Sequence, residues 1–293
     1  MRDDAASQTA ALVALYRAIE SSRPPVTRLF DDPLAPAFLG PRFRWALRLS
    51  RMPIVGGAVP WRLIDGHWAG PRGTVAVRTR YIDDLLADAL GTGVTQVVIL
   101  GAGFDCRAYR IRSLEHARVF EVDHHATQAR KKAILTRRLG TVPPHVTLVP
   151  ADFAVQTLDQ ALHAAGYRHA ERSFLICEGV THYLPAAAVD ALFRYVGQGA
   201  PGTRIVFTYI DRRMLDGSAT FVGAENTLAT VRRAGEPYTF GFDPAELPRY
   251  LAARDLRLIE DVDAALYRER YLQPRGRAHE PLAEFQRAAL ASV

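Results

Sequence analysis

Four short apolar runs in this chain end on residues that could hold a nucleoside-bearing ligand. VVIL (97–100) stops at Gly101, Ala102 and Gly103, and RVFEV (118–122) leads into Asp123. VTLVP (146–150) leads to Asp152 and Phe153, and SFLIC (173–177) to Glu178 and Gly179. Glycines after a strand let a ligand approach the backbone closely. An acid about 20 residues beyond such a turn stands where ribose hydroxyls are met. Alone, Glu121 or Asp123 reads equally well as a solvated strand end; the glycine turn upstream favours a binding role. An acid beside an aromatic, as in Asp152–Phe153, suits an adenine: the acid accepts from the exocyclic amine and the ring packs on the base. Glu178, at the end of a run as apolar as SFLIC, lies near the centre of a sheet, where an unpaired carboxylate is costly.

Arg78 adds a cation. In TVAVRTRYIDDLLADAL (74–90), helical spacing places Tyr81, Ile82, Leu85 and Ala89 on one face with Arg78. Arg80 falls on the other face with Asp83, Asp84 and Ala87. An inward arginine needs an anionic partner. Two readings stand open: an internal ion pair with a protein acid, or an anchor for a ligand carboxylate. The glycine turn itself lacks the last glycine of a G-x-G-x-x-G fingerprint, with Cys106 in that place.

The sequence as a whole limits the alternatives. The 293 residues carry a net charge of +6, with basic residues scattered rather than in runs, so nucleic acid is not an expected partner. No stretch reaches the ~18 uncharged apolar residues of a membrane span. MRDDAASQTA shows no signal-peptide pattern, and two cysteines, Cys106 and Cys177, suit a reducing compartment, so a cytoplasmic location is expected. Among the histidines, His124 and His125 follow Asp123, and His182 lies in EGVTHYL; His145, His163 and His169 read as surface or loop residues. No H-x-x-x-H or H-E-x-x-H spacing appears, and no metal site is expected.

The elements that must position these residues follow from periodicity. QTAALVALYRAIES (8–21) predicts an amphipathic helix and FRWALRLSRM (43–52) a shorter one. From Thr74 onward, β-branched runs alternate with helical patterns: the four above, then RIVFTYI (204–210), LRLIEDV (256–262) and LYRERYL (266–272). Helical patterns separate the first five, which predicts an α/β fold: an open, mostly parallel sheet with helices on both faces. The last two runs predict an antiparallel pair at one edge. A Rossmann-like sheet of seven strands with a terminal hairpin is the layout of class I methyltransferases. The expected division is a helical N-terminal cap over 1–73 and a core over 74–293, with a lid insertion near 211–245.

Taken together, RLFDDPLA (28–35), VRTRYIDDLL (77–86), VVILGAGFDCRAYRI (97–111), VFEVDHH (119–125), ADF (151–153) and CEGVTHYLP (177–185) resemble the leucine carboxyl methyltransferase-like family of S-adenosylmethionine-dependent methyltransferases, which includes bacterial relatives that esterify polyketide carboxyls. The resemblance implies S-adenosyl-L-methionine as cofactor. Arg78 would grip its methionine carboxylate, Gly101 and Gly103 would form the turn, and Asp123 would hold the ribose. Asp152 and Phe153 would hold the adenine, and Glu178 would lie by the methionyl end. Arg17, on the first helix, is the nearest match to a basic cofactor contact of the family. Cys106 stands where the family often has threonine and reads as a packing thiol. The missing third glycine then has a reason: this cofactor carries no pyrophosphate to seat on a helix N-terminus.

The expected activity is O-methyl transfer to a small acidic molecule or natural product, held by arginines of the lid. Carboxyl and hydroxyl acceptors both stay open, with the resemblance favouring carboxyl. A carboxylate is already the nucleophile at neutral pH, whereas a hydroxyl needs a positioned base, for which His182, Tyr183 and Tyr209 are the candidates. A nicotinamide-dependent oxidoreductase is disfavoured by Cys106 and by the acid-rich strand ends. A non-catalytic cofactor-binding module is the remaining alternative.

Overall fold

The computed structural model describes residues 8–50, 70–151, 156–233 and 235–293. Its centre is a seven-stranded sheet in the order β3-β2-β1-β4-β5-β7-β6. The strands are β1 (Gln96–Leu100), β2 (Arg118–Asp123), β3 (Val146–Pro150), β4 (Ser173–Cys177), β5 (Arg204–Ile210), β6 (Arg257–Val262) and β7 (Gln286–Ser292). The first five are parallel, and β7 runs antiparallel to both β5 and β6. Every residue of β1 and β4 is buried. Strands covered on both faces read as continuous apolar runs, and the runs marking β3, β4 and β5 match their observed bounds.

Two sequence expectations are corrected. LYRERYL (266–272) is helical, not a strand: a turn over Ala264–Tyr267 continues through Arg268–Leu272. The Asp263 side chain caps it by accepting from the Leu266 N–H at 2.9 Å, and Tyr267, Tyr271 and Leu272 bury one side at helical spacing. The seventh strand is instead QRAALAS, whose alanines have low strand propensity but fit where β7 slots between two neighbours. The antiparallel partner of β6 is thus inserted beside β5, leaving β6 at the edge. Between β1 and β2 there is also no full crossover helix, only short turns over Arg107–Arg110 and Arg112–His116.

Helix α1 (Gln8–Ser21), with α2 (Pro41–Ser50), packs on the turn after β1. Phe38 stacks on Phe104 at 4.9 Å, and Cys106 is buried in the same cluster. Burial pushes its thiol well above the usual range, as expected of a packing residue. A buried ion cluster fastens this layer to the C-terminal segment: Arg277 forks onto Glu20 at 2.7 and 2.9 Å and reaches Glu280 at 2.8 Å. Helix α3 (Pro71–Gly91) lies across the sheet, with Arg78, Tyr81, Ile82, Leu86 and Ala89 buried.

The helix over Ala186–Gly197 closes against the loop before β6, where a Cβ at Gly197 would lie 1.8 Å from the Arg254 carbonyl oxygen. Backbone cannot yield there as a flexible side chain would. Gly197→Ala should therefore destabilise the fold by about 1–3 kcal/mol or more, read as a lower melting temperature with no change in ligand affinity. An unchanged melting temperature would contradict the packing described.

Candidate active site

The strand order reverses between β1 and β4, which are neighbours although the chain builds outward from β1 in one direction first. In open α/β sheets, ligands bind outside the carboxyl ends of the strands at this switch point. Gly101–Gly103 and Glu178–Gly179 occupy those two ends. They border a cavity of about 1100 Å³, at the large end of small-molecule sites and roomy enough for a cofactor and an acceptor together. Arg17, Arg78, Gly101, Gly103, Asp123, Glu178, His182 and Tyr183 all line it. Asp152 and Phe153 lie outside the described residues.

Gly101 has φ +61, and a Cβ there would sit 2.4 Å from Val180 Cγ2, so the turn tolerates no side chain. The Asp123 carboxylate shapes this turn by accepting from the backbone N–H of Gly103 and of His124 (2.6 Å). Burial raises its pKa against those bonds. Beneath the turn, Glu121 pairs with buried Lys131 at 2.7 Å and accepts from the Tyr109 hydroxyl at 2.9 Å. Lys131 reaches the Ala102 carbonyl at 3.4 Å. Glu121 is thus a support of the turn, neither solvated nor facing ligand.

Of the two readings of Arg78, the structure shows the internal ion pair. Arg78 Nε donates to Glu178 Oε1 at 2.8 Å and Nη1 to Gln286 Oε1 at 3.3 Å. The partner is a protein acid, and both charged groups border the cavity. Arg80 pairs with Asp84 at 2.9 Å on the partly exposed side, as the helical phase predicts. Asp83, expected at the solvent, instead turns toward Arg107 (2.8 Å) and Arg110 (2.7 Å). Arg107 completes the network by donating to Glu178 Oε2 at 2.8 Å and pairing with Asp105. Burial alone would raise the pKa of Glu178, but Arg107 and Arg78 outweigh it and hold it below the usual range. Arg107, with Arg17 and Lys131, likewise outweighs burial at Asp105, held down to about 2.

The remaining candidates divide. Arg17 lines the cavity, but its Nε is bonded to Asp32 at 2.9 Å and its Nη2 donates to the Phe104 carbonyl. Tyr209 does not line the cavity; its hydroxyl donates to Asp261 at 2.8 Å beside Arg287. His182 packs against Tyr183 and Tyr238, ring centroids 4.4 and 4.6 Å away, and its Nδ1 has no hydrogen-bond partner among the described residues. Burial, aided by Arg78, lowers its pKa to about 3. From the segment over 211–245, Thr227, Thr230, Val231, Glu236 and Tyr238 face the cavity; among the described residues this segment contributes no arginine to it. Glu236 accepts from the Thr9 hydroxyl, closing that segment onto α1. Sequence reasoning passed over Asp105 and Arg107, although both lie in the GAGFDCRAYRI stretch, because their partners come from distant parts of the chain.

The donor set fits S-adenosylmethionine. Arg78 and Glu178 present one positive and one negative group side by side, the complement of an amino acid's carboxylate and ammonium. Asp123 stands two strands away, at the end of β2 with β1 between, and has lone pairs left for hydroxyls.

The fold is shared by a DUF574 family protein of Streptomyces avermitilis, with TM-score 0.58 at 14% identity, covering 98% of this chain and 97% of that one. A protein of Thermobifida fusca provisionally named a methyltransferase gives TM-score 0.56 at 16% identity, covering 92% and 95%. In sequence, the chain is 36% identical over 209 residues to a protein of Streptomyces coelicolor, covering 71% of this chain and 70% of the relative. It is also 36% identical over 212 residues to one of Frankia alni, with 71% and 70% covered. Both relatives are provisionally named S-adenosyl-L-methionine-dependent methyltransferases. The leucine carboxyl methyltransferase family model matches residues 10–197. A switch-point cavity bordered by a glycine turn and a paired arginine and glutamate, in a sheet of this order, therefore has its relatives in one place: the chain belongs to the leucine carboxyl methyltransferase family and is an S-adenosylmethionine-dependent methyltransferase.

Proposed function

We propose that the enzyme methylates the carboxylate of a small acid with an apolar body, forming a methyl ester. One observation carries this reading: among the described residues, none of the three candidate bases is equipped to take a proton from a hydroxyl acceptor. His182 is buried with its pKa lowered to about 3, which makes its neutral ring a weak base. Burial drives the Tyr183 phenol upward, so it stays protonated. Tyr209 is turned away toward Asp261. A carboxylate needs no such partner.

The cavity wall agrees. Leu12, Val13, Tyr16, Phe43, Val75 and Leu184 give it an apolar side. When bound, S-adenosylmethionine supplies an activated methyl on a positively charged sulfonium. Opposite charges attract more strongly where water is excluded, so beside an apolar wall the sulfonium draws an anionic nucleophile, and Arg17 and Arg130 border the same cavity. The enzyme's own contribution is alignment: Arg78, Glu178 and Asp123 fix one partner, and the wall fixes the other.

Glu236 favours a second reading, hydroxyl methylation, because it is a carboxylate on the cavity side of the lid segment. Product chemistry separates the two. A methyl ester is released as methanol by mild alkali, and an ether is not. His182→Ala and Glu236→Gln should each retain more than about a tenth of the turnover, since loss of a true general base typically costs ~10²–10⁴-fold. An alkali-stable product, or a collapse of rate in either variant with cofactor binding intact, would establish the hydroxyl reading instead.

A further inference from the structure

Arg107 does not line the cavity, yet its guanidinium is engaged on every side. Nε donates to Asp83 Oδ1 at 2.8 Å, Nη1 to Glu178 Oε2 at 2.8 Å and to Asp105, and Nη2 to the Thr79 carbonyl at 3.4 Å. It is 2% exposed. We propose that Arg107 is a positioning residue for cofactor binding: it acts through Glu178, fixing the direction of that carboxylate and keeping it ionised to meet the cofactor's ammonium.

Glu178 is gripped from two sides by arginines of different elements, Oε1 by Arg78 of α3 and Oε2 by Arg107 of the turn after β1. A carboxylate held at both oxygens cannot rotate away, and each oxygen keeps a further lone pair. The two arginines are not equivalent. Arg78 borders the cavity and is the group a ligand carboxylate would draw upon. Arg107 is shut away behind the wall, so its charge stays with Glu178 when ligand arrives. Asp83 and Asp105 hold it there, and Asp105 also accepts from the Arg107 backbone N–H at 2.6 Å. The charged and titratable groups facing Glu178 are Arg78 from α3, Asp105 and Arg107 from the turn and Tyr267 from the turn after β6. Burial opposes the ionised form of Glu178, and the two arginines overcome it.

Calorimetric titration with S-adenosylhomocysteine between pH 5.5 and 7 tests this. Wild-type affinity should be flat across that range. In Arg107→Gln, burial is opposed by Arg78 alone, so Glu178 should take up a proton as pH falls and affinity should weaken roughly tenfold toward the acid end. Arg110→Gln removes a neighbouring charge that pairs with Asp83 but never touches Glu178; it should stay flat. Loss of affinity in Arg107→Gln by the same factor at every pH would reduce Arg107 to a structural role and overturn the proposal. Should Arg107→Gln not fold, wild-type titrations at pH 6 in buffers of different ionisation enthalpy decide. Equal proton exchange in wild type and Glu178→Gln supports a carboxylate already ionised before binding. Proton release that disappears in Glu178→Gln overturns it.

Discussion

Arg78→Ala should raise the dissociation constant for S-adenosylhomocysteine by about tenfold or more, and Arg80→Ala should leave it nearly unchanged. A hydrogen bond to a charged group contributes roughly 1.5–3 kcal/mol, and about 1.4 kcal/mol is a factor of ten. Arg78 is buried beside Glu178 at the cavity edge, whereas Arg80 sits partly exposed with Asp84 one helical turn on, where an ion pair contributes little. The alanine also strips Glu178 of one of its two cations. Arg78→Lys should rescue poorly, because a lysine keeps the charge but cannot present Nε to Glu178 while forking onto a second carboxylate. Equal effects of the two alanine substitutions, measured by calorimetry, would show that the phase of α3 does not decide which arginine serves the ligand.

Asp123→Ala should weaken the same ligand at least as strongly. Two ribose hydroxyls would lose a charged acceptor, each bond contributing roughly 1.5–3 kcal/mol. The turn would lose the carboxylate that bonds Gly103 and His124. A deoxyribose analogue separates these effects. In wild-type protein, removing the hydroxyls should cost affinity; in Asp123→Ala it should cost little more, because the partner is already gone. An undiminished penalty for the analogue in Asp123→Ala would place the hydroxyls elsewhere.

Much of this was legible in the sequence, for physical reasons that differ by element. Central parallel strands are buried on both faces, so SFLIC and RIVFTYI declare themselves as apolar runs. The rule that ligands lie at strand ends then picks out Gly101, Asp123 and Glu178 without any tertiary information. The helical period separates Arg78 from Arg80. It misplaces Asp83, because exposure at that position is set by Arg107 and Arg110 from another part of the chain. LYRERYL resembles a strand by composition, but the Asp263 cap and the Tyr267–Tyr271 spacing make it helical. QRAALAS resembles nothing in particular, since small residues in a crowded central position leave no propensity signal. The acceptor side is the least legible: Glu236 and Tyr238 come to the cavity through the packing of a long segment onto α1 and His182, and no local spacing announces that.

The most direct test is a calorimetric titration of the wild-type protein with S-adenosylhomocysteine and, separately, with NAD. A site built from Arg78, its partner Glu178 and Asp123 at the end of β2, with no third glycine for a pyrophosphate, predicts binding of S-adenosylhomocysteine and no response to NAD. Micromolar binding of NAD with no response to S-adenosylhomocysteine would contradict it.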